Sequence, residues 1–265
     1  MFSRADNDLL TRTGPGTPMG DLLRRYWLPA LISRELAEPD GAQMRLRILG
    51  EDLVIFRDGR GEVGLLELHC SHRGTSLEFA QIEELGIRCC YHAWLYGVDG
   101  RILETPGEPA ESTLKDRLCH GAYPTHEYRG LVFAYMGPPD KEPPFPNYDI
   151  FNIPELPRQV HTKHFIPCSW LQIKENAMDP VHTSFLHSIN FTGSFDVIPE
   201  LDFRENPLGM MYVGVRRIGD NVWVRSTEMI MPNLHQLAPT FETGEIPKNF
   251  SRPMQSIWSV PLDDS

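Results

Sequence analysis

The chain has 265 residues, 41% of them hydrophobic, enough for one large or two modest domains with buried cores. Its formal net charge of −11 argues against nucleic acid and anionic membrane surfaces as partners. The first residues hold no apolar run of signal-peptide length, and no stretch approaches the ~18 apolar residues of a membrane span, so a cytoplasmic protein without membrane contact is expected.

Residues 14–20 form a turn-rich arm in which Thr17 can cap a helix with Pro18 at its first position. Leu22, Leu23, Tyr26 and Trp27 would be its apolar side, and Pro29 its end. From Gln43 to Gly137 short β-type runs alternate with Gly/Asp turns. Leu53–Phe56 is followed by Asp58-Gly59-Arg60-Gly61 and Val63–Leu68; Leu95–Val98 by Asp99-Gly100 and Arg101–Leu103; Gly130–Met136 closes the series. That pattern predicts a small β-sandwich or barrel. Residues 137–157, with Pro138, Pro139, Pro143, Pro144, Pro146, Pro154 and Pro157, read as a linker between domains. Trp170 to His187 is a predicted helix with one irregular point at Pro180, and β-type runs return at Met211–Val215, Val222–Val224 and Ile257–Val260. The expected fold class is α+β: an arm and helix over 1–26, an all-β domain over 27–142 and an α+β domain over 143–265.

The five cysteines, Cys70, Cys89, Cys90, Cys119 and Cys168, are an odd number, which speaks against a disulfide framework and for metal binding. Cys70-Ser71-His72 and, after residues 73–88, Cys89-Cys90-Tyr91-His92 make a C-x-H…C-x-x-H pattern. Two thiolates on one iron and two neutral imidazoles on the other would hold a [2Fe–2S] cluster of raised potential. The same four residue types could also form a structural Cys2His2 zinc site. The flanks separate the two readings by resemblance: His72-Arg73-Gly74 and Tyr91-His92-Ala93-Trp94 resemble the cluster loops of Rieske ferredoxins and oxygenases. Ala93 replaces the usual Gly, and Cys90 stands where Pro is usual. Gly74, Gly86 and Gly97 lie near these loops.

A second constellation is Asp179, His182 and His187. Two imidazoles and a carboxylate form the facial triad of non-haem Fe(II), with positions left for O2 and substrate. On a regular helix His182 and His187 would point about 140° apart, so a bulge or helix end near Pro180 is required if they share a metal. The plainer reading of an HxxxxH pair is two histidines that pack or face water.

Asp179, His182 and His187 following a Rieske motif resemble the oxygenase α-subunits of Rieske non-haem iron oxygenases. Residues 10–20, Leu22 to Trp27, and Trp170-Leu171-Gln172 leading into Glu175-Asn176 resemble the phthalate 4,5-dioxygenase and aromatic O-demethylase branch. The resemblance covers nearly the whole chain. It implies a Rieske domain followed by a helix-grip-like catalytic domain that is truncated at its C-terminus. It implies that Cys70, His72, Cys89 and His92 hold the cluster, that His182 and His187 hold the mononuclear Fe(II), and that Asp179 bridges the two sites between subunits of a ring-shaped homotrimer. Electrons would come from a separate NAD(P)H-dependent reductase, and O2 would be used to hydroxylate or O-demethylate an aromatic, carboxylated substrate. The family's third iron ligand lies further beyond His187 than residues 188–265 reach. Glu242, Glu245, Asp263 and Asp264 are the late acidic residues, and none is assigned as that ligand. The alternative is a Rieske electron-transfer protein whose second domain is incomplete.

Several residues receive no role. His69, His120, His126, His161, His164, His235, Cys119 and Cys168 are read as packing or surface, and Arg216, Arg217 and Arg225 as solvated strand-edge charges, although a cation there would suit an aromatic carboxylate.

Overall fold

Ser3 starts the first helix, α1 (Arg4–Thr11), through a reciprocal pair: its hydroxyl accepts from the Asp6 N–H, and the Asp6 carboxylate accepts from the Ser3 N–H. Thr17 opens α2 (Pro18–Leu23) as expected, with Pro18 first and Thr17 Oγ1 accepting from the Gly20 N–H at 3.2 Å. The helix does not extend through Tyr26 and Trp27. From Trp27 the chain is a strand, β1 (Trp27–Ile32), at the edge of its sheet. Pro29 cannot donate inside a helix, while an edge strand tolerates the missing N–H.

The computed structural model describes residues 3–36, 41–152, 161–190, 195–238 and 255–264. The chain divides into two compact units. One is built from Met1–Asn147, Glu155–Ile166 and Val260–Ser265, the other from Tyr148–Pro154 and Pro167–Ser259.

The first unit continues with β2 (Met44–Ile48), β3 (Glu51–Arg57), β4 (Val63–Glu67), β5 (Gln81–Glu83), β6 (Gly86–Arg88), β7 (Leu95–Tyr96), β8 (Ile102–Glu104), a short helix α3 (Leu114–Arg117), β9 (Ala122–Tyr123), β10 (Thr125–Tyr128) and β11 (Leu131–Tyr135). These strands form three antiparallel sheets in the orders β1-β11-β10, β2-β3-β4-β9 and β5-β6-β7-β8. The period of two in β3 serves two cores. Leu53 and Ile55 pack with Leu28, Leu65, Val132 and Ala134, while Val54 and Phe56 pack with Leu66, Leu77, Ile87, Trp94 and Tyr96. The expected turn between β3 and β4 is held by buried Asp58, whose carboxylate accepts from the Arg60 and Glu62 N–H groups at 3.0 and 2.8 Å.

Arg24 ties the arm to this frame. Its guanidinium donates to the Thr13 and Leu49 carbonyls at 3.1 and 2.9 Å and to Glu51 Oε1 at 2.7 Å. The chain's last residues close against the same place: the Leu49 and Gly50 N–H groups donate to the Pro261 and Leu262 carbonyls at 3.0 and 2.7 Å. Asp264 Oδ1 accepts from the Thr13 and Gly14 N–H groups at 2.6 and 3.1 Å, and Asp263 pairs with Arg47 at 3.4 Å. Asp263 and Asp264 are thus spent within the first unit. Glu242 and Glu245, like Pro154 and Pro157 of the linker, lie outside the described residues.

The second unit carries α4 (Trp170–Ala177) and a five-stranded antiparallel meander in chain order: β12 (Glu200–Asn206), β13 (Gly209–Ile218), β14 (Asn221–Ile230), β15 (Leu234–Leu237) and β16 (Gln255–Trp258). The fold class is therefore α+β. Among the described residues no helix is long and apolar enough to cross a membrane. The predicted helix from Trp170 to His187 stops at Ala177, and a single 3-10 turn, His182–Ser184, follows Pro180. Pro180 lacks an N–H and disfavours helical geometry at the residue before it.

Lys174 on α4 is 3% exposed and donates to the Asn233 carbonyl and to His235 Nδ1, the latter at 2.8 Å. Burial pulls its pKa from 10.5 down to about 7. The unfolded chain keeps this proton up to about pH 10.5 and the folded chain releases it near 7, so the unfolded state binds more protons in between. Stability of the second unit should therefore climb from about pH 7 to about pH 10, by up to about 4 kcal/mol. Lys174→Met should flatten that climb in urea unfolding at the two pH values; an unchanged slope would mean another group is responsible.

Candidate metal centres

Cys70 follows β4 and Cys89 follows β6, so each thiol sits where a strand hands over to a loop. The two loops close alike. The Gly74 N–H donates to the Cys70 carbonyl at 2.8 Å and the Cys70 N–H to the Thr75 carbonyl at 2.9 Å. In the other, the Ala93 N–H donates to the Cys89 carbonyl at 3.1 Å and the Cys89 N–H to the Trp94 carbonyl at 2.9 Å. The closing residue is left-handed in both, with φ +73° at Gly74 and +59° at Ala93. Gly86 answers a different need: a Cβ there would lie 1.9 Å from the Tyr96 carbonyl oxygen, so only glycine lets β6 lie this close to β7.

Cys70 and Cys89 are each 3% exposed, whereas Cys90 faces out, so the register puts Cys89 inward. Burial pushes the Cys89 thiol's pKa up; the Tyr91 and His92 N–H groups face its sulfur and pull the other way, and the Cys70 sulfur lies within hydrogen-bonding reach. Tyr96 places its hydroxyl 2.9 Å from Cys70 Sγ. The His72 ring stacks on Trp94 at 4.7 Å between centroids and meets the His92 ring edge-on at 4.5 Å. His72 Nδ1 is buried without a hydrogen-bond partner. In the tautomer that leaves this nitrogen unprotonated, its lone pair is available to a metal. The donors come as a pair of sulfurs, Cys70 and Cys89, and a pair of imidazoles, His72 and His92, the division that a two-iron cluster demands.

In the second unit the broken helix does what a regular one could not. Asp179 Oδ1 accepts from the Val181 and His182 N–H groups at 2.8 and 3.3 Å, capping the 3-10 turn. The rings of His182 and His187 then stand 5.1 Å apart, edge to face. His182 Nδ1, 3.7 Å from Asp179 Oδ2, is buried without a hydrogen-bond partner. Burial lowers the His187 pKa, and the neighbouring His182 and Arg225 add to that, which favours the neutral, metal-binding form. Two imidazoles fit a shared metal; among the described residues no further carboxylate joins them.

Arg216 and Arg225 correct the sequence reading. They are 2% and 7% exposed, not solvated edge charges, while Arg217 faces out. Register explains it: Tyr212, Gly214 and Arg216 share the buried face of β13, opposite Thr227, Arg225 and Trp223 of β14. Arg216 donates to the Val197 carbonyl at 2.8 Å and to Thr183 Oγ1 at 2.9 Å, pinning the turn that carries His182. Both guanidiniums lie against the Phe195 ring, at 5.2 and 5.6 Å. Among the described residues neither has a carboxylate within ion-pair distance, and Arg225 Nε is buried without a hydrogen-bond partner. The two-residue spacing from Tyr212 to Gly214 to Arg216 was the available signal, but a period of two does not say which face is buried.

Residues 26–124 match the Rieske [2Fe-2S] domain family. The chain therefore carries an iron–sulfur domain of the Rieske class. It is 44% identical to the tert-butanol monooxygenase / tert-amyl alcohol desaturase oxygenase subunit of Aquincola tertiaricarbonis over 96% of this chain and 57% of that protein. It is 37% identical to the phthalate 4,5-dioxygenase oxygenase subunit of Pseudomonas putida over 100% of this chain and 62% of that protein. Its fold is similar to the oxygenase of carbazole 1,9a-dioxygenase, solved in a reduced complex with ferredoxin, with a TM-score of 0.64 and 24% identity over 91% of this chain and 68% of that one. Beyond that domain, the chain is similar over nearly its whole length to proteins named as oxygenase subunits. It spans 57% and 62% of the length of these two curated relatives.

Ala93 holds by itself the conformation that glycine holds in the sister loop. Ala93→Gly should therefore stabilise the first unit by about 1 kcal/mol, read as a raised urea midpoint with an unchanged m-value. A lower midpoint would show that the loop does not strain Ala93.

Proposed function

We propose that this chain belongs to an oxygenase component, with the Rieske domain over 27–142 and the catalytic domain over 143–265. In this reading Cys70, His72, Cys89 and His92 hold the [2Fe–2S] cluster, and His182 and His187 hold the mononuclear iron. When bound, the cluster supplies single electrons and the iron activates O2 with them for hydroxylation or O-demethylation of an aromatic substrate. The observation that carries the reading is the pair of bare, buried imidazole nitrogens, His72 Nδ1 and His182 Nδ1, each beside a second histidine ring.

The chain's own residues would do the rest. Trp94 stacks on His72 and fixes its ring plane. Asp179 braces the His182 turn with one oxygen while its side chain stays half exposed, free to accept from a cluster histidine of a neighbouring subunit in a homotrimer. Arg216 and Arg225 favour a carboxylated aromatic, because two buried guanidiniums with no carboxylate in ion-pair distance among the described residues gain most from a carboxylate brought by the substrate. A separate NAD(P)H-dependent reductase, reaching the cluster directly or through a ferredoxin, and a cytoplasmic location complete the proposal.

Iron and acid-labile sulfide per chain, measured on anaerobically purified protein, test it. About three irons with about two sulfides are expected; about two of each would favour an electron carrier with an incomplete second domain, and absence of sulfide would overturn the Rieske ligand set. Arg225→Gln should weaken binding of an aromatic carboxylate about tenfold or more and leave an uncharged aromatic unaffected. Equal loss for both would remove the case for a carboxylate.

A further inference from the structure

His120 is a histidine the motifs do not use, and it is 2% exposed. It lies just before β9, which pairs with β4, so its ring reaches the end of β4 where the first cluster loop begins. Its Nε2 is 2.9 Å from the Glu67 carbonyl oxygen. A carbonyl can only accept, so Nε2 carries the hydrogen. Burial lowers the ring's pKa and keeps it neutral. A neutral imidazole has one N–H, so Nδ1 must accept, and the atom it meets, at 2.6 Å, is Ser71 Oγ. Ser71 sits between Cys70 and His72, and its one proton is spent on His120. The face of the same ring lies 4.6 Å from Tyr96, centroid to centroid, and the Tyr96 hydroxyl is the one within 2.9 Å of Cys70 Sγ. A tyrosine hydroxyl, with an ordinary pKa of about 10, carries its proton near neutral pH and can donate it to a ligating sulfur.

We propose that His120 is a positioning residue for the cluster: it takes the Ser71 proton away from the cluster loop and backs Tyr96, so that of these two hydroxyls only Tyr96 donates to sulfur. Hydrogen bonds to cluster sulfurs stabilise the more negative, reduced state and raise the potential. His120 therefore holds the potential below the value that a loop with both hydroxyls donating would have. The inference rests on Cys70 and His72 being cluster ligands.

The test is the midpoint potential of the cluster-loaded protein, with the reduced-state EPR g-values. His120→Phe keeps a ring against Tyr96 but accepts no proton, which releases Ser71. The midpoint should rise by about 59 mV, a tenfold change in a one-electron equilibrium. Ser71→Ala alone should leave the midpoint where it is, and His120→Phe with Ser71→Ala should bring it back. His120→Asn, whose carboxamide oxygen can stand in for Nδ1, should keep the wild-type value. An unmoved midpoint in His120→Phe, or a rise that persists without the Ser71 hydroxyl, would overturn the proposal. Should His120→Phe not load a cluster, His120→Asn decides: a wild-type midpoint supports the role and a shifted one refutes it. Wild-type protein without acid-labile sulfide would refute the ligand reading instead.

Discussion

Two sulfurs and two imidazoles can be offered to one cluster only if two separate loops present them at matched height. For the proposed ligands the chain offers the same five-residue closure after β4 and after β6. Everything around the loops serves their spacing. β3 sends alternate side chains into two cores and so fixes β4 on one side and the Ile87, Trp94 and Tyr96 layer on the other. Gly86 lets β6 lie against β7 closely enough for Tyr96 to reach Cys70. Trp94, which ends the second loop, is also the plate on which His72 rests. A shift of either strand would change ligand geometry before it changed the number of buried contacts.

The second pair of histidines depends on the opposite device, a failure of regular structure. Continuous helix through Pro180 would have set His182 and His187 on different faces. The break puts their rings together, and Asp179, Thr183 and Arg216 hold the broken segment in place with hydrogen bonds rather than apolar packing. That choice leaves charge inside the protein. Arg216 and Arg225 are both buried without a carboxylate partner among the described residues, which is costly for a fold.

The proposed cluster ligands Cys70, His72, Cys89 and His92 could be named from the sequence because local loop geometry sets their spacing, and a short motif can encode that; the fold brings the two loops together. The helix cap at Thr17 and the β3–β4 turn at Asp58 were legible for the same reason. Long-range facts were not. Trp27 begins a strand because β11 lies beside it, and nothing near Trp27 announces β11. The burial of Arg216 and Arg225 depends on the register of β13 with β14 and on Phe195. His120 gains its partners from Glu67 and Ser71, far away along the chain, and reads in isolation as an ordinary histidine.

The seam between the arm, the β2–β3 turn and residues 260–264 bears on how the protein comes into being. A ribosome makes residues 148–259 before it makes the carbonyls of Pro261 and Leu262 that Leu49 and Gly50 require. The loops around Cys70 and Cys89 draw all their closing bonds from within residues 70–94 and can form early. The iron–sulfur nest is thus ready to be filled while the unit that contains it is still open at its N-terminal arm. The order of manufacture and the order of closure run in opposite directions.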